Sequence, residues 1–224
     1  MEFLIVILFA LLAAAVKSQK GSPYTPIYIS NGSRRVIDGK QATKSQFPYQ
    51  AGIIFTPIGE LADTEITLGG GCLISSTRVL TAAHNVVGVS SGLVILGAIY
   101  LFKNEPNQVS FDVPVSQMVC HPRFNLHTKD NDIAMIKLPS AVKFNNYISP
   151  IALPEGSNDY VGVTGVISGW GEFDETKEQS QYLRFANMKV ITNSKCNEDY
   201  GDIIHSIICT QSTGDNGGCN GDSG

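Results

Sequence analysis

The chain has 224 residues, of which 43% are hydrophobic, so it can bury a sizeable core in one or two small domains. Sixteen Lys and Arg residues stand against 20 Asp and Glu residues, which gives a formal net charge of −4, and no basic run is present. This balance excludes nucleic acid and an anionic membrane surface as expected partners.

The chain begins with an apolar segment. Residues 3–16 form an uninterrupted apolar run that is too short to span a bilayer. Small residues, Ala13 to Ala15 and Ser18, lie near plausible cleavage points. We interpret residues 1–18 as a signal peptide, although Glu2 stands where a positive charge is usual; a buried helix is the alternative. Export predicts a secreted, extracellular protein in an oxidising environment.

A linker and then a series of strands follow the apolar segment. Residues 19–35 are rich in Ser, Gly, Pro and Lys and show no apolar periodicity, which indicates a linker.

From Val36 onward, short apolar or alternating runs broken by Gly, Pro, Asn and Ser predict strands. These runs are Gln50 to Phe55, Gly71 to Ile74, Arg78 to Thr81, Gly92 to Leu96, Ile133 to Leu138, Gly165 to Ser168 and Leu183 to Ile191. The pattern indicates an all-β sandwich or barrel, and periodicity does not choose between them.

Three motifs place a His, an Asp and a Ser in characteristic local settings, in that order along the chain. They are Thr81-Ala-Ala-His84, Asp130-Asn-Asp132-Ile-Ala-Met-Ile-Lys137 and Cys219-Asn-Gly-Asp-Ser-Gly224. Three further segments accompany them, namely Phe47-Pro48-Tyr49-Gln50, His121-Pro122 and Ser168-Gly169-Trp170-Gly171. Over Arg35 to Gly224 the chain therefore resembles a trypsin-like (chymotrypsin-fold) serine endopeptidase.

The resemblance implies an all-β fold of two packed six-stranded antiparallel β-barrels in one peptidase domain, residues 36–224. The boundary between the barrels is expected near Asn145 to Pro154. Family members continue beyond the position of Gly224, so we expect the second barrel to be incomplete. Apolar strand faces and unpaired ladder groups would then be exposed, and the 224-residue polypeptide would fold poorly and have little activity.

The chemistry of such an enzyme needs a hydroxyl that is deprotonated as it attacks, and imidazole is the side chain best matched to that task. By resemblance, Ser223 is the nucleophile, His84 is the general base and Asp132 orients the imidazole. The backbone N–H groups of Gly221 and Ser223 are expected to form the oxyanion hole, since Gly221 lets the backbone come close to the reacting centre.

Other titratable residues have simpler interpretations. Asp130 is an alternative to Asp132, but only Asp132 directly precedes the hydrophobic strand. A surface or structural role is expected for His121, His127 and His205. No His or Cys cluster has the spacing of zinc ligands, so we expect no metal and no cofactor.

The segment Arg34-Arg35-Val36-Ile37-Asp38-Gly39 resembles the activation site of a zymogen. Cleavage after Arg35 by an activating protease would release residues 19–35 as a propeptide and free the amino group of Val36. In the family this new cation pairs with the Asp beside the nucleophile, here Asp222. Burying either charge alone is costly, so cleavage would act as a switch.

Specificity in the family depends on a residue six positions before the nucleophile, which here is Gly217. A preference for Lys or Arg would need a carboxylate at that position, and Asp215 lies two positions too early. We therefore expect a chymotrypsin-like or broad preference for apolar side chains of protein or peptide substrates. The surrounding segment is similar to the brachyurin-like proteases of arthropods, and protein protease inhibitors are further expected partners.

Five cysteines are an odd number for a secreted chain. The resemblance pairs Cys196 with Cys209, and it gives Cys219 a partner that family members carry after the nucleophile. The family disulfide that braces the catalytic His is absent, because Gly69 and Asn85 occupy its two positions. Cys72 and Cys120 have no family partner; we favour buried free thiols over a bond between them.

A noncatalytic, protease-like binding protein is the alternative function. The motifs and the activation site favour the enzyme, whereas the short C-terminus favours the binding protein.

Overall fold

The computed structural model of the protein describes residues 39–59, 66–156, 158–172, 179–201, 203, 206–212 and 222–224. Within these ranges the fold is built almost entirely from strands. They are Lys40–Gln41 (β1), Gln50–Pro57 (β2), Thr67–Ser75 (β3), Arg78–Thr81 (β4), Val89–Leu96 (β5), Val109–Pro114 (β6), Met118–Cys120 (β7), Ala134–Lys137 (β8), Thr164–Gly169 (β9), Arg184–Ile191 (β10) and Cys209–Ser212 (β11). The helices are Ala83–Val86 (α1), Asn193–Tyr200 (α2) and the 3₁₀ turn Val115–Gln117.

The first sheet is antiparallel and has the order β6-β5-β2-β3-β4-β8-β7. β2 lies inside it and is covered on both faces, because successive side chains of a strand point to opposite sides. Ala51, Ile53 and Phe55 belong to the first hydrophobic core, whereas Ile54 packs against the second. This sheet therefore separates two cores.

The second sheet is centred on β10, which pairs with β1, β9 and β11. The two sheets meet at Ile99, whose carbonyl accepts hydrogen bonds from the Trp170 indole N–H at 3.0 Å and from the Leu183 backbone N–H at 2.8 Å. Trp170 and Leu183 are each 1% exposed, so this junction is buried in the second core.

α2 is fixed at three points. The Thr192 side chain caps its N-terminus by accepting a hydrogen bond from the Lys195 N–H, and Gly201 ends the helix at a φ of 63°, a conformation that favours glycine. The disulfide between Cys196 and Cys209 then joins α2 to β11. This is the pair that the resemblance predicts.

All seven strands predicted from the sequence are present, and the all-β fold class is confirmed. The described strands form a seven-stranded and a four-stranded sheet where the resemblance suggested six strands each. The sequence analysis missed β1, β6, β7, β11 and both helices. These segments are short or half-exposed, so their apolar pattern is weak.

Several predictions fall on segments outside the described residues. These are the signal peptide at residues 1–18, the propeptide at residues 19–35 and the activation-site residues Arg35 and Val36. No helix among the described residues is long and apolar enough to cross a membrane.

Candidate active site

His84 lies in α1, directly after β4. The residues before it, Ala82 and Ala83, are 1% and 0% exposed, and their small side chains let the short helix pack closely against the first core. The His84 side chain keeps about one fifth of its surface exposed, at 20%. The imidazole is therefore held by the core and still reaches solvent.

Asp132 lies in the loop between β7 and β8. Lys129 and Asn131 have φ values of 59° and 55°, in the left-handed region, so the chain turns tightly just before the carboxylate. The Lys129 N–H donates to the Asn125 carbonyl at 2.8 Å, which closes the loop. The Asp132 side chain is completely buried, at 0% exposure.

The Asp132 carboxylate binds His84 through both of its oxygens. Oδ2 lies 2.6 Å from Nδ1 of the imidazole, and Oδ1 accepts a hydrogen bond from the His84 backbone N–H at 2.8 Å. A carboxylate accepts hydrogen bonds, so Nδ1 carries the proton and Nε2 of the neutral ring keeps its lone pair. One side chain thus fixes the position and the tautomer of the imidazole.

Ser223 is 5% exposed and lies beside α1 and β3. Its carbonyl oxygen accepts hydrogen bonds from the Gly70 N–H at 2.6 Å and from the Asn85 side-chain amide at 2.8 Å. Since Asn85 follows His84 in α1, these bonds bring the Ser223 backbone next to the helix that carries the imidazole. The structure therefore places the three residues of the sequence motifs in one region.

Asp222 contacts the segment that contains Trp170. Its Oδ1 accepts a hydrogen bond from the Gly171 N–H at 2.8 Å. A Cβ at Gly169 would lie 2.2 Å from the same oxygen, so only glycine leaves room for the carboxylate. The Ser168-Gly169-Trp170-Gly171 motif thus forms the wall against which Asp222 lies.

The structure describes three further titratable residues that the sequence analysis named, Asp130, His121 and His127. Asp132, rather than Asp130, binds the ring. The His121 ring accepts a hydrogen bond from the Arg123 N–H at 3.2 Å, and His127 is exposed. Gly217, Gly221, Cys219 and His205 lie outside the described residues. Among the described residues, no group of three or more His, Cys, Asp or Glu side chains could hold a metal ion.

Cys72 and Cys120 are free thiols and are not bonded to each other. Burial raises the pKa of the Cys72 thiol to about 12, so this thiol is protonated at neutral pH. Cys120 is half-buried, and its pKa is also raised, first by burial and then by the Asp132 charge. The prediction of buried free thiols thus describes Cys72 fully and Cys120 in part.

Sequence reasoning missed the roles of Gly70 and Thr81. The Thr81 hydroxyl donates to the Gly70 carbonyl at 2.8 Å, while the Gly70 N–H binds Ser223. The three consecutive glycines at 69–71 were the available signal, because glycine inside a strand often marks a close approach of backbone. At Gly71, for example, a Cβ would lie 2.9 Å from the Leu80 carbonyl.

Residues 36–224 match the family model described as Trypsin. The chain belongs to the trypsin family. It is therefore a serine-type endopeptidase that acts on protein or peptide substrates, as the resemblance implied.

Trypsin-family relatives include a collagenase from Hypoderma lineatum, which is 34% identical over 229 residues and is matched over 100% of this chain and 81% of its own. A brachyurin from Leptuca pugilator is 34% identical over 192 residues, covering 84% of this chain and 79% of its own. A chymotrypsin from Phaedon cochleariae is 30% identical over 224 residues, covering 95% and 78%. The solved structure of HL collagenase superposes with a TM-score of 0.74 at 33% identity, over 84% of this chain and 79% of that one.

Proposed function

We propose that this trypsin-family endopeptidase is a secreted zymogen that hydrolyses peptide bonds with Ser223, His84 and Asp132. The observation that carries the proposal is the double contact of Asp132 with the backbone and the ring of His84. It leaves the Nε2 lone pair of a fixed imidazole available as a base, which is what a serine nucleophile requires.

In the proposed reaction, Ser223 Oγ attacks the carbonyl carbon of the scissile peptide bond and its proton passes to Nε2 of His84. The buried Asp132 carboxylate stabilises the imidazolium that forms. The N–H groups of Gly221 and Ser223 would stabilise the oxyanion of the tetrahedral intermediate. The imidazolium then gives its proton to the leaving amine, and water hydrolyses the resulting ester by the same two steps.

Activation by another protease is part of the proposal. Cleavage after Arg35 would free the Val36 amino group, which would pair with the Asp222 carboxylate. The hydrogen bond from the Gly171 N–H to Asp222 supports this, because it holds the carboxylate beside Trp170 of the second core. A new ion pair there would order the residues next to Ser223.

Secretion and substrate preference complete the proposal. Residues 1–18 would direct export and residues 19–35 would be the propeptide; the disulfide between Cys196 and Cys209 is consistent with an oxidising environment. Gly217 at the base of the pocket would favour apolar or broad specificity rather than Lys or Arg. Relatives named collagenase and brachyurin make protein substrates as relevant as small peptides, and protein inhibitors would bind the same cleft.

Labelling with a fluorophosphonate probe tests the proposal. The full-length protein should be labelled at Ser223 after cleavage at Arg35, and little before it. Arg35→Gln should prevent activation, and Ser223→Ala should abolish labelling. The cleaved enzyme should hydrolyse peptides with Phe or Leu before the scissile bond faster than matched peptides with Lys. A cleaved protein that remains unlabelled would favour a noncatalytic binding protein instead.

A further inference from the structure

Asn85 connects the residues around His84 with the backbone of Ser223. It lies in α1 directly after His84, and its Nδ2 group donates a hydrogen bond to the Ser223 carbonyl at 2.8 Å. The same amide group lies 3.4 Å from the Thr81 hydroxyl in β4. One side chain thus bridges α1, β4 and the chain around Ser223.

The bridge requires glycine at position 69. A Cβ at Gly69 would lie 2.8 Å from Asn85 Nδ2, 3.1 Å from its Cγ and 3.0 Å from Phe55 Cε2, so the Asn85 amide would have to shift. The side chain of Asn85 therefore occupies the space that any other residue at 69 would fill. Gly69 and Asn85 are the two positions at which the family resemblance places the missing disulfide.

The Ser223 carbonyl is held on both sides. The Gly70 N–H in β3 donates a hydrogen bond to it at 2.6 Å, and the Asn85 side chain in α1 donates a second at 2.8 Å. Gly224 lies close against β3, since a Cβ there would lie 2.0 Å from the Gly70 carbonyl oxygen. The peptide group between Ser223 and Gly224 is thus fixed relative to α1, which carries His84.

We propose that Asn85 is a positioning residue for the nucleophile, in the place where the family has a covalent brace. This inference rests on the proposed role of Ser223 and His84. The disulfide would join α1 only to β3, whereas the Asn85 amide joins α1 to the backbone of Ser223 itself. Loss of this hydrogen bond would let Ser223 and the imidazole move relative to each other, which slows attack without weakening substrate binding.

The test uses the activated full-length protein and measures kcat, KM and the second-order rate constant of fluorophosphonate labelling. Asn85→Ala should lower kcat and the labelling rate constant by roughly ten-fold and leave KM unchanged. Labelling is measured well below the unfolding transition of each variant, where nearly all of the protein is folded, so the rate constant reports on the folded enzyme and not on its stability. Asn85→Asp, which keeps the shape but replaces the amide donor with a carboxylate, should show a loss at least as large.

Gly69→Ala provides an independent route to the same contact, because its methyl group would displace the unchanged Asn85 amide. It should lower the labelling rate constant on its own and have a smaller effect in the Asn85→Ala background, since both substitutions remove the hydrogen bond from Asn85 to Ser223. Asn145→Ala is the matched control. Asn145 Oδ1 accepts from the Tyr147 and Ile148 N–H groups at 2.7 and 3.0 Å, so this variant should lose stability but keep its labelling rate constant.

The outcomes separate this inference from the proposed function. If the unsubstituted protein is not labelled at Ser223, both fail. If it is labelled, an Asn85→Ala variant with the same rate constant, or with a raised KM and an unchanged kcat, would overturn the positioning role alone.

Discussion

The region around His84 and the region around Cys196 are each joined to a distant part of the chain, but by different bonds. Cys196 in α2 is joined to β11 by a covalent bond across 13 residues. His84 is joined to Asp132, 48 residues away, by hydrogen bonds alone. The residue after it is joined to Ser223 across 138 residues in the same way.

The difference shows what each kind of connection requires from its surroundings. The disulfide joins two buried cysteines that pack with Ile203, and most of the described residues between them are exposed. The hydrogen-bonded connections involve a completely buried Asp132 side chain, and Gly69 and Gly169 leave free the space that the Asn85 and Asp222 side chains occupy. The catalytic region therefore depends on glycines that make room for polar side chains, whereas the α2 region is joined to β11 by a covalent bond.

Asp132→Asn should give the largest loss of activity, because Asp132 makes both hydrogen bonds that hold His84. An amide cannot replace the carboxylate that keeps the proton on Nδ1, so kcat should fall by about 10⁴-fold. The measurement is peptide hydrolysis by the activated protein. Asp130→Asn, two residues away in the same loop, should change kcat by no more than about two-fold. Equal losses for both variants would contradict the assignment of Asp132.

Replacing both Cys196 and Cys209 by Ala tests the covalent connection. By the loop-entropy relation, the free energy of unfolding should fall by about 3 kcal/mol, while kcat of the folded enzyme stays within about two-fold. Thermal unfolding with and without a reducing agent checks this. The reductant should lower the melting temperature of the unsubstituted protein and leave that of the variant unchanged; a large fall in kcat would mean that the two regions are coupled.

Cys72 should produce the smallest effect, and only at alkaline pH. Its folded-state pKa is about 12, whereas an unfolded thiol titrates near pH ~8.5, so burial stabilises the protonated form. Its contribution to stability is full below the unfolded pKa and is lost as pH rises toward 12. Cys72→Ala should therefore show a shallower fall of unfolding free energy between pH 8 and pH 11 in urea titrations. The pKa values of buried Tyr49 and half-buried Cys120 are also raised, but both residues remain in both proteins. Identical slopes of unfolding free energy against pH in the two proteins would therefore contradict the prediction.

Local patterns were sufficient for seven of the eleven described strands and for the motif residues. The runs that became β2 to β5 and β8 to β10 are apolar because both faces of the first sheet and one face of the second are covered. The half-exposed strands β6 and β7 carry little apolar signal, and the sequence analysis passed over them. The predicted order of His84, Asp132 and Ser223 needed no knowledge of distances, whereas their contacts did.

Asn85 shows where sequence reasoning ended. Its identity, and that of Gly69, indicated only that a disulfide was absent. The structure adds that the two positions still touch and that the amide reaches the Ser223 carbonyl. A hydrogen bond depends on the direction of the donor and the position of an acceptor far along the chain, and neither is encoded in local spacing.

The sequence by itself determined the fold class, the family and the residue types available for catalysis, because these follow from side-chain chemistry and from patterns within short segments. Only the tertiary structure decided that the Asp132 carboxylate binds both the backbone and the ring of His84, and that Gly70 and Asn85 share the carbonyl of Ser223. These contacts join residues that are 48 to 153 positions apart, and only packing of the sheet against α1 brings them within hydrogen-bonding distance.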